Sequence, residues 1–296
     1  MNGLLVIDKP GGMTSHDVVD RLRRITGERS IGHLGTLDPM ATGVLPLLLG
    51  KFTRLAQYFS AAEKSYAGGI RFGFATDTYD AEGEPCGPDR WPGAAAKLTL
   101  EQVRAAASRF HGEMEQMPPQ FSAKKVDGQP AYKLARKGKA VQLKPARVRI
   151  DAFVIDALDG PEASFTIDIS AGGYVRSVAH ELGSDLGCSA HLSRLRRTRA
   201  GTFTLADAHT LEVLEALTGN VEAIEGLCIH PRILLPEMPS VTGDSVTLGR
   251  LRNGAQANLP EFSAAPLVKV FAGPRELAGI ARRIAGTLFQ PVVVMG

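Results

Sequence analysis

In residues 32–43, GHLGTLDPMATG, three glycines and a proline surround a single carboxylate, Asp38. Glycine reaches backbone angles closed to other residues and lets another chain approach closely. Pro39 fixes its own φ and pushes Asp38 toward an extended conformation. A tight turn in which Asp38 bonds its own backbone would account for an isolated Asp-Pro pair. Special backbone chemistry over this whole stretch, followed by the apolar run VLPLLLG, argues instead for a rigidly presented acid. A helix is expected from about Leu45 to Ala61.

Around this loop the chain reads as mixed α and β. LLVID at 4–8 is a short buried strand. Thr14 with Asp17 three residues later forms a capping box, and Val18, Val19, Leu22 and Ile25 then keep helical spacing until Gly27. KSYAGGIRFGFAT at 64–76 is a strand, and the acids of DTYDAEGEP form an acidic hairpin tip. Their spacing fails the EF-hand pattern, since Tyr79 and Ala81 stand where oxygen ligands are needed. Thr99 caps a helix over 100–110. RVRIDAFVIDAL and SFTIDISAG alternate as sheet strands. YVRSVAHELGSDLG is a helix with Val175, Val178, Leu182 and Leu186 on one face. PRILLPEMPS, with three prolines, marks a boundary near 231–240, and a short β-rich module follows.

The 296 residues carry a net charge of only +3, which by itself decides little. Its distribution says more. HLSRLRRTRAG places Arg194, Arg196, Arg197 and Arg199 together with no acid among them, and residues 123–149 are rich in Lys and Arg against one Asp. Either cluster alone could be a solvated face. Two of them, with Phe121 and Tyr132 in or near the second, point to RNA. The segment 116–145 is too long and too basic for a neutral connector, with at most one short helix near Tyr132–Lys137. MNGLLVIDKPGG has no basic stretch before its short apolar run, and no run approaches the roughly 18 apolar residues of a membrane span. An intracellular, cytoplasmic protein without membrane attachment is expected. Cys86, Cys188 and Cys228 are too few and too scattered for a disulfide framework or zinc ribbon, and each is expected to be a small buried hydrophobe.

Phosphate-loop, dinucleotide-fingerprint, zinc-protease, nucleophile-elbow and zinc-deaminase motifs are all missing from the sequence. Isomerisation of a base on its ribose needs no nucleotide, metal or energy donor. KPGGMTSHDVV at 9–19, GHLGTLDPMATGVLPLLLG at 32–50 and KSYAGGIRFGFATDTYDAEG at 64–83 resemble three consecutive motifs of the TruB family. QMPPQFSAKKVDGQPAYKLARKG at 116–138 resembles that family's thumb-like insertion. GGYVRSVAHELGSDLGCSAHLSRLRRTRAGTF at 172–203 resembles its late catalytic motif.

The resemblance implies a pseudouridine synthase fold of the α/β (α+β) class. Its mixed, largely antiparallel sheet is flanked by helices over residues 1–235, with an RNA-contacting insertion at about 112–145. A small β-rich, PUA-like module follows at 240–296. It implies conversion of uridine to pseudouridine at position 55 in the T arm of tRNA, by base flipping, without cofactor or metal. A monomer acting without guide RNA or protein partner is expected. Asp38 matches the family's essential aspartate, as nucleophile toward the ribose or the base, or as the group that removes the 2′ proton. Arg176 matches its arginine partner, and Tyr66 the tyrosine that stacks on the target base. Tyr174 and Leu195 match residues lining the uracil pocket; His33 matches the histidine that holds the base flipped out. Lys9, Lys124, Arg196 and Arg197 are expected at RNA. The rivals are a non-catalytic RNA-binding protein, a synthase with another RNA target or a guide RNA, and an acid-pair hydrolase. The last lacks a well-placed second carboxylate, Glu63 being the nearest candidate.

Overall fold

The computed structural model describes residues 1–86, 97–122, 124–126, 129–131 and 143–295. The helix expected near Tyr132–Lys137 lies outside the described residues. The main elements are strands β1 (Gly3–Lys9), β2 (Ile31–His33), β3 (Thr42–Leu49), β4 (Lys64–Phe72), β5 (Gly112–Gln116), β6 (Ala146–Asp159), β7 (Glu162–Ile169), β8 (Ala190–Ala200), β9 (Phe203–Thr204) and β10 (Ala208–His209). Helices α1 (Ser15–Thr26), α2 (Leu100–Ala107) and α3 (Val175–Asp185) accompany them. The strands form one ten-stranded mixed sheet in the order β10-β1-β3-β8-β4-β7-β6-β5, with β2 beside β3 and β9 beside β8.

The sheet is a wall between two cores, and this explains its continuous apolar strands. In β1, Leu5 and Ile7 enter one core, while Leu4 and Val6 enter the other. In β3, Leu45, Leu47 and Leu49 face the first, and Val44 and Leu48 the second. The helix expected from Leu45 is therefore corrected. Residues 42–49 are a strand buried on both faces, and only Gly50–Tyr58 coils, as a 3-10 helix. A run of this kind cannot be told from a buried helix by periodicity. Pro46 fits because it sits where β3 changes partner, between Gly43 paired with Arg197 and Leu47 paired with His33.

Local signals act as expected at α1. Thr14 and Asp17 exchange both capping bonds, Val18, Val19, Leu22 and Ile25 are buried, and Gly27 closes the helix at φ 71°. Thr99 and Gln102 cap α2 in the same way. The segment expected as an insertion from 112 begins inside the sheet, because β5 pairs with Ala146–Ile150. Cys188 and Cys228 are buried, but Cys86 is exposed, a correction that follows from its place on a short surface hairpin.

A β-rich C-terminal domain follows. Its strands Ser240–Thr242, Leu267–Ala272, Glu276–Ala285, Leu288–Val294 and Ala257–Asn258 form a five-stranded sheet in that spatial order. Val268, Val270, Leu251 and Phe289 give it a core of its own. Phe271, Leu277, Ile280 and Val293 pack with Leu4, Val6, Val44 and Leu48, so the module docks on the outer face of the large sheet. No helix among the described residues is long and apolar enough to cross a membrane.

Gly43 pairs with Arg197 where β3 meets β8. It has φ 99°, and a Cβ there would collide with the Arg197 carbonyl. Gly43→Ala is expected to cost about 3 kcal/mol or more in urea unfolding. A loss below about 1 kcal/mol would mean that the two strands can part without penalty.

Candidate active site

The loop from Gly35 to Pro39 links β2 to β3, and its carbonyl groups are all held. The Arg197 guanidinium donates to Gly35 O at 3.0 Å, Thr36 O at 3.5 Å and Val44 O at 2.7 Å. Ser15 Oγ donates to Leu37 O and accepts from Leu37 N, at 3.2 and 2.8 Å. Ala41 N donates to Asp38 O. Lys9 Nζ donates to Pro39 O at 3.2 Å, to Pro10 O at 2.8 Å and to Met13 O at 2.5 Å. A loop so completely bonded presents its side chain without needing to reorganise.

Two expectations are thereby corrected. Arg197 and Lys9, expected at RNA, have no exposed surface. Both are internal braces of the Asp38 loop. Arg196 pairs with Asp8 through two bonds, at 3.0 and 2.7 Å. Arg194 meets Glu162 and Arg199 meets Asp168. The arginine-rich strand lacks acids of its own, but β1 and β7, each one strand beyond its direct neighbours β3 and β4, supply them from positions distant in sequence. Lys124 is half-buried, and its Nζ donates to Lys144 O at 2.8 Å.

Arg176, in the first turn of α3, organises the site. Its Nε lies 2.9 Å from Asp38 Oδ2, and Nη2 donates to Asp38 Oδ1 at 3.1 Å, a two-pronged grip on the carboxylate. Nη2 also donates to Phe121 O at 2.9 Å, and Nη1 donates to Thr78 O at 3.0 Å. Asp80 Oδ2 lies 3.5 Å from Nη1. Three guanidinium hydrogen bonds and two further ion-pair contacts thus converge on Arg176, and lysine cannot match that. The Arg176 side chain is only 5% exposed, whereas that of Asp38 is 34% exposed, so the carboxylate faces outward from a buried cation. Burial pushes the Asp38 carboxyl above its ordinary value; Arg176 opposes this and the Asp80 charge adds to it.

Asp80 is the group that sequence reasoning missed. Expected on an exposed acidic hairpin tip, it is 3% exposed and accepts from Thr78 Oγ at 2.6 Å and Glu82 N at 3.1 Å. Among four acids within eight residues, nothing in composition separates the buried one. Glu63 is paired with Arg149 on the surface.

Tyr66, on β4, is buried in the same cluster as Leu37 and Ala41 of the Asp38 loop, Val175 beside Arg176, and Leu195 of β8. Tyr174 precedes α3 and is held by Gln116, which accepts from its N–H at 2.7 Å and donates to its carbonyl at 3.0 Å. Burial raises the Tyr174 phenol pKa. His33 ends β2 half-buried, its Nδ1 has no partner among the described residues, and burial lowers its pKa. Among the described residues no cluster of His, Cys, Asp or Glu could hold a metal ion.

Burial lowers the Lys9 pKa to about 8. Between pH 8 and the ordinary lysine range the unfolded chain therefore binds more protons than the folded one, and Lys9's contribution to stability rises with pH. Relative to Lys9→Met, the wild type is expected to gain about 2 kcal/mol of unfolding free energy between pH 7.5 and 10. Parallel pH dependence of the two proteins in urea titrations would contradict the burial of an ionised Lys9.

A chain of the archaeal box H/ACA sRNP superposes with a TM-score of 0.65 at 24% identity, covering 96% of this chain and 80% of that one. A chain of an H/ACA RNP bound to a substrate RNA containing 2′-deoxyuridine gives 0.68 at 22% identity, covering 99% and 85%. These likenesses establish the fold. The family model for TruB family pseudouridylate synthase (N terminal domain) matches residues 23–175, and that for the tRNA pseudouridylate synthase B C-terminal domain matches 176–230. The tRNA pseudouridine synthase B of Solibacter usitatus is 44% identical over 298 residues, 100% of each chain. That of Opitutus terrae is 47% identical over 217 residues, covering 73% of this chain and 88% of its own. That of Cupriavidus metallidurans is 39% identical, covering 97% and 92%. The chain belongs to the TruB family and is a pseudouridine synthase.

Proposed function

We propose that the protein converts uridine to pseudouridine at position 55 in the T loop of tRNA, acting alone, without guide RNA or protein partner. The observation that carries this reading is the Asp38–Arg176 grip in a chain whose relatives are named tRNA pseudouridine synthases. The reaction breaks the N1–C1′ bond, turns the uracil and forms a C5–C1′ bond. N1 gains a proton and C5 loses one, so no atom or electron is added. An ionised Asp38 supplies the negative charge that bond cleavage at C1′ requires, and Arg176 keeps it ionised and aimed as water is expelled. Tyr66 offers a ring to stack on the base and a hydroxyl for proton transfer. Tyr174 and Leu195 line the pocket that retains the detached uracil, and His33 supports the flipped-out conformation. Flipping costs a few kcal/mol, offset by stacking and backbone contacts.

A T-arm hairpin carrying tritium at C5 of the target uridine tests the reading. The purified protein is expected to release the label to water in step with product formation. A hairpin that is bound but retains its label would contradict it.

A further inference from the structure

The backbone next to Arg176 holds an unusual residue. Tyr79 adopts φ 65°, a left-handed conformation that costs a non-glycine residue of order 1 kcal/mol. It stands between the two groups that meet Arg176 Nη1, the Thr78 carbonyl and the Asp80 carboxylate. Its own ring stacks on His180, with centroids 3.8 Å apart and planes 10° from parallel. His180 is four residues after Arg176 on α3, so both side chains leave the same face of the helix. One face of α3 therefore grips three consecutive residues, two by hydrogen bonds and ion pairing and the middle one by its ring. Behind it the segment is pinned to β8, since Leu192 N donates to Tyr79 O at 3.0 Å. Among the described residues His180 Nδ1 is buried with no partner, and burial lowers the pKa of the ring, which favours the neutral, apolar form suited to a stacking platform.

We infer that Tyr79 and His180 are positioning residues for the isomerisation. Their stack holds the 78–80 segment in its left-handed turn, so that Thr78 O and Asp80 fix Arg176 and, through it, Asp38. The role rests on the assignment of Asp38 and Arg176 proposed above. Neither ring touches the reacting atoms; each acts through the guanidinium.

The test compares single-turnover rates and RNA dissociation constants of Tyr79→Ala, His180→Ala and the double variant on tRNA transcript. Each single variant is expected to lose about five- to tenfold in rate, with RNA affinity within about twofold of wild type. The double variant is expected to be no slower than the worse single one, since both break one stack. His180→Phe, which keeps a ring, is expected to restore most of the rate. Tyr79→Gly accepts the left-handed backbone without a side chain and is expected to be as slow as Tyr79→Ala. A wild-type rate there would assign the positioning to the turn alone and overturn the role of the stack. Losses that multiply in the double variant, or alanine variants at wild-type rate, would overturn it too. Crystal structures of the alanine variants give a readout free of catalysis. Thr78 O is expected beyond hydrogen-bond distance of Nη1 and the Asp80 carboxylate farther away than its present 3.5 Å, and unchanged contacts would refute the inference. A wild type inactive on tRNA would instead count against the proposed reaction, with the variant structures still deciding the stack.

Discussion

Asp38→Asn is expected to lower single-turnover pseudouridine formation by about 10⁴-fold or more while leaving the RNA dissociation constant within about twofold. The amide is nearly the same size and can still accept from Arg176, so the loop held by Arg197, Lys9 and Ser15 has no reason to move. What disappears is the negative charge, together with one of the two acceptors in the Arg176 grip, since the amide NH2 donates. Because the change is confined to the Asp38 headgroup, the loss is expected in the chemical step and not in docking of the RNA. Single-turnover kinetics with enzyme in excess, beside filter binding, separate the two. A variant within about tenfold of wild type would mean that Asp38 is not the group that attacks or takes the proton.

Arg176→Lys is the second large effect. Lysine keeps one positive charge but cannot span Asp38, Thr78 O, Phe121 O and Asp80 together. The single-turnover rate is expected to fall by about 10²- to 10³-fold. The acid limb of the pH–rate profile is also expected to move to higher pH. Burial and the charge of Asp80 already push the Asp38 carboxyl up, and the gripping guanidinium is what opposes them. Weakening that grip raises the pH at which Asp38 loses its proton. A slower variant with an unmoved acid limb would show that Arg176 aims the carboxylate without tuning it.

How far these groups can be read from sequence depends on whether their partners are local. The Asp38 loop is legible because its glycines and Pro39 lie beside the acid, and the α1 cap because Thr14 and Asp17 are three residues apart. β3 is not legible, because a strand between two cores and a buried helix share one composition. The ion pairing of the β8 arginines is invisible in the sequence for a related reason. Asp8, Glu162 and Asp168 reach them only once strands are laid side by side, and Arg197 turns inward to bind carbonyls that no sequence displays. Asp80 looked like its three acidic neighbours until α3 brought Arg176 across. In each case the missing information is a contact between residues far apart in the chain, and such contacts leave no trace in composition or period.

The most direct test is to map pseudouridine at nucleotide resolution in a full-length, unmodified tRNA transcript incubated with the purified protein alone. An arginine-held Asp38 in a synthase of this family predicts one modified position, uridine 55 of the T loop, absent when Asp38→Asn replaces the wild type. A transcript left unmodified there, or modified equally by the Asp38→Asn variant, would contradict it.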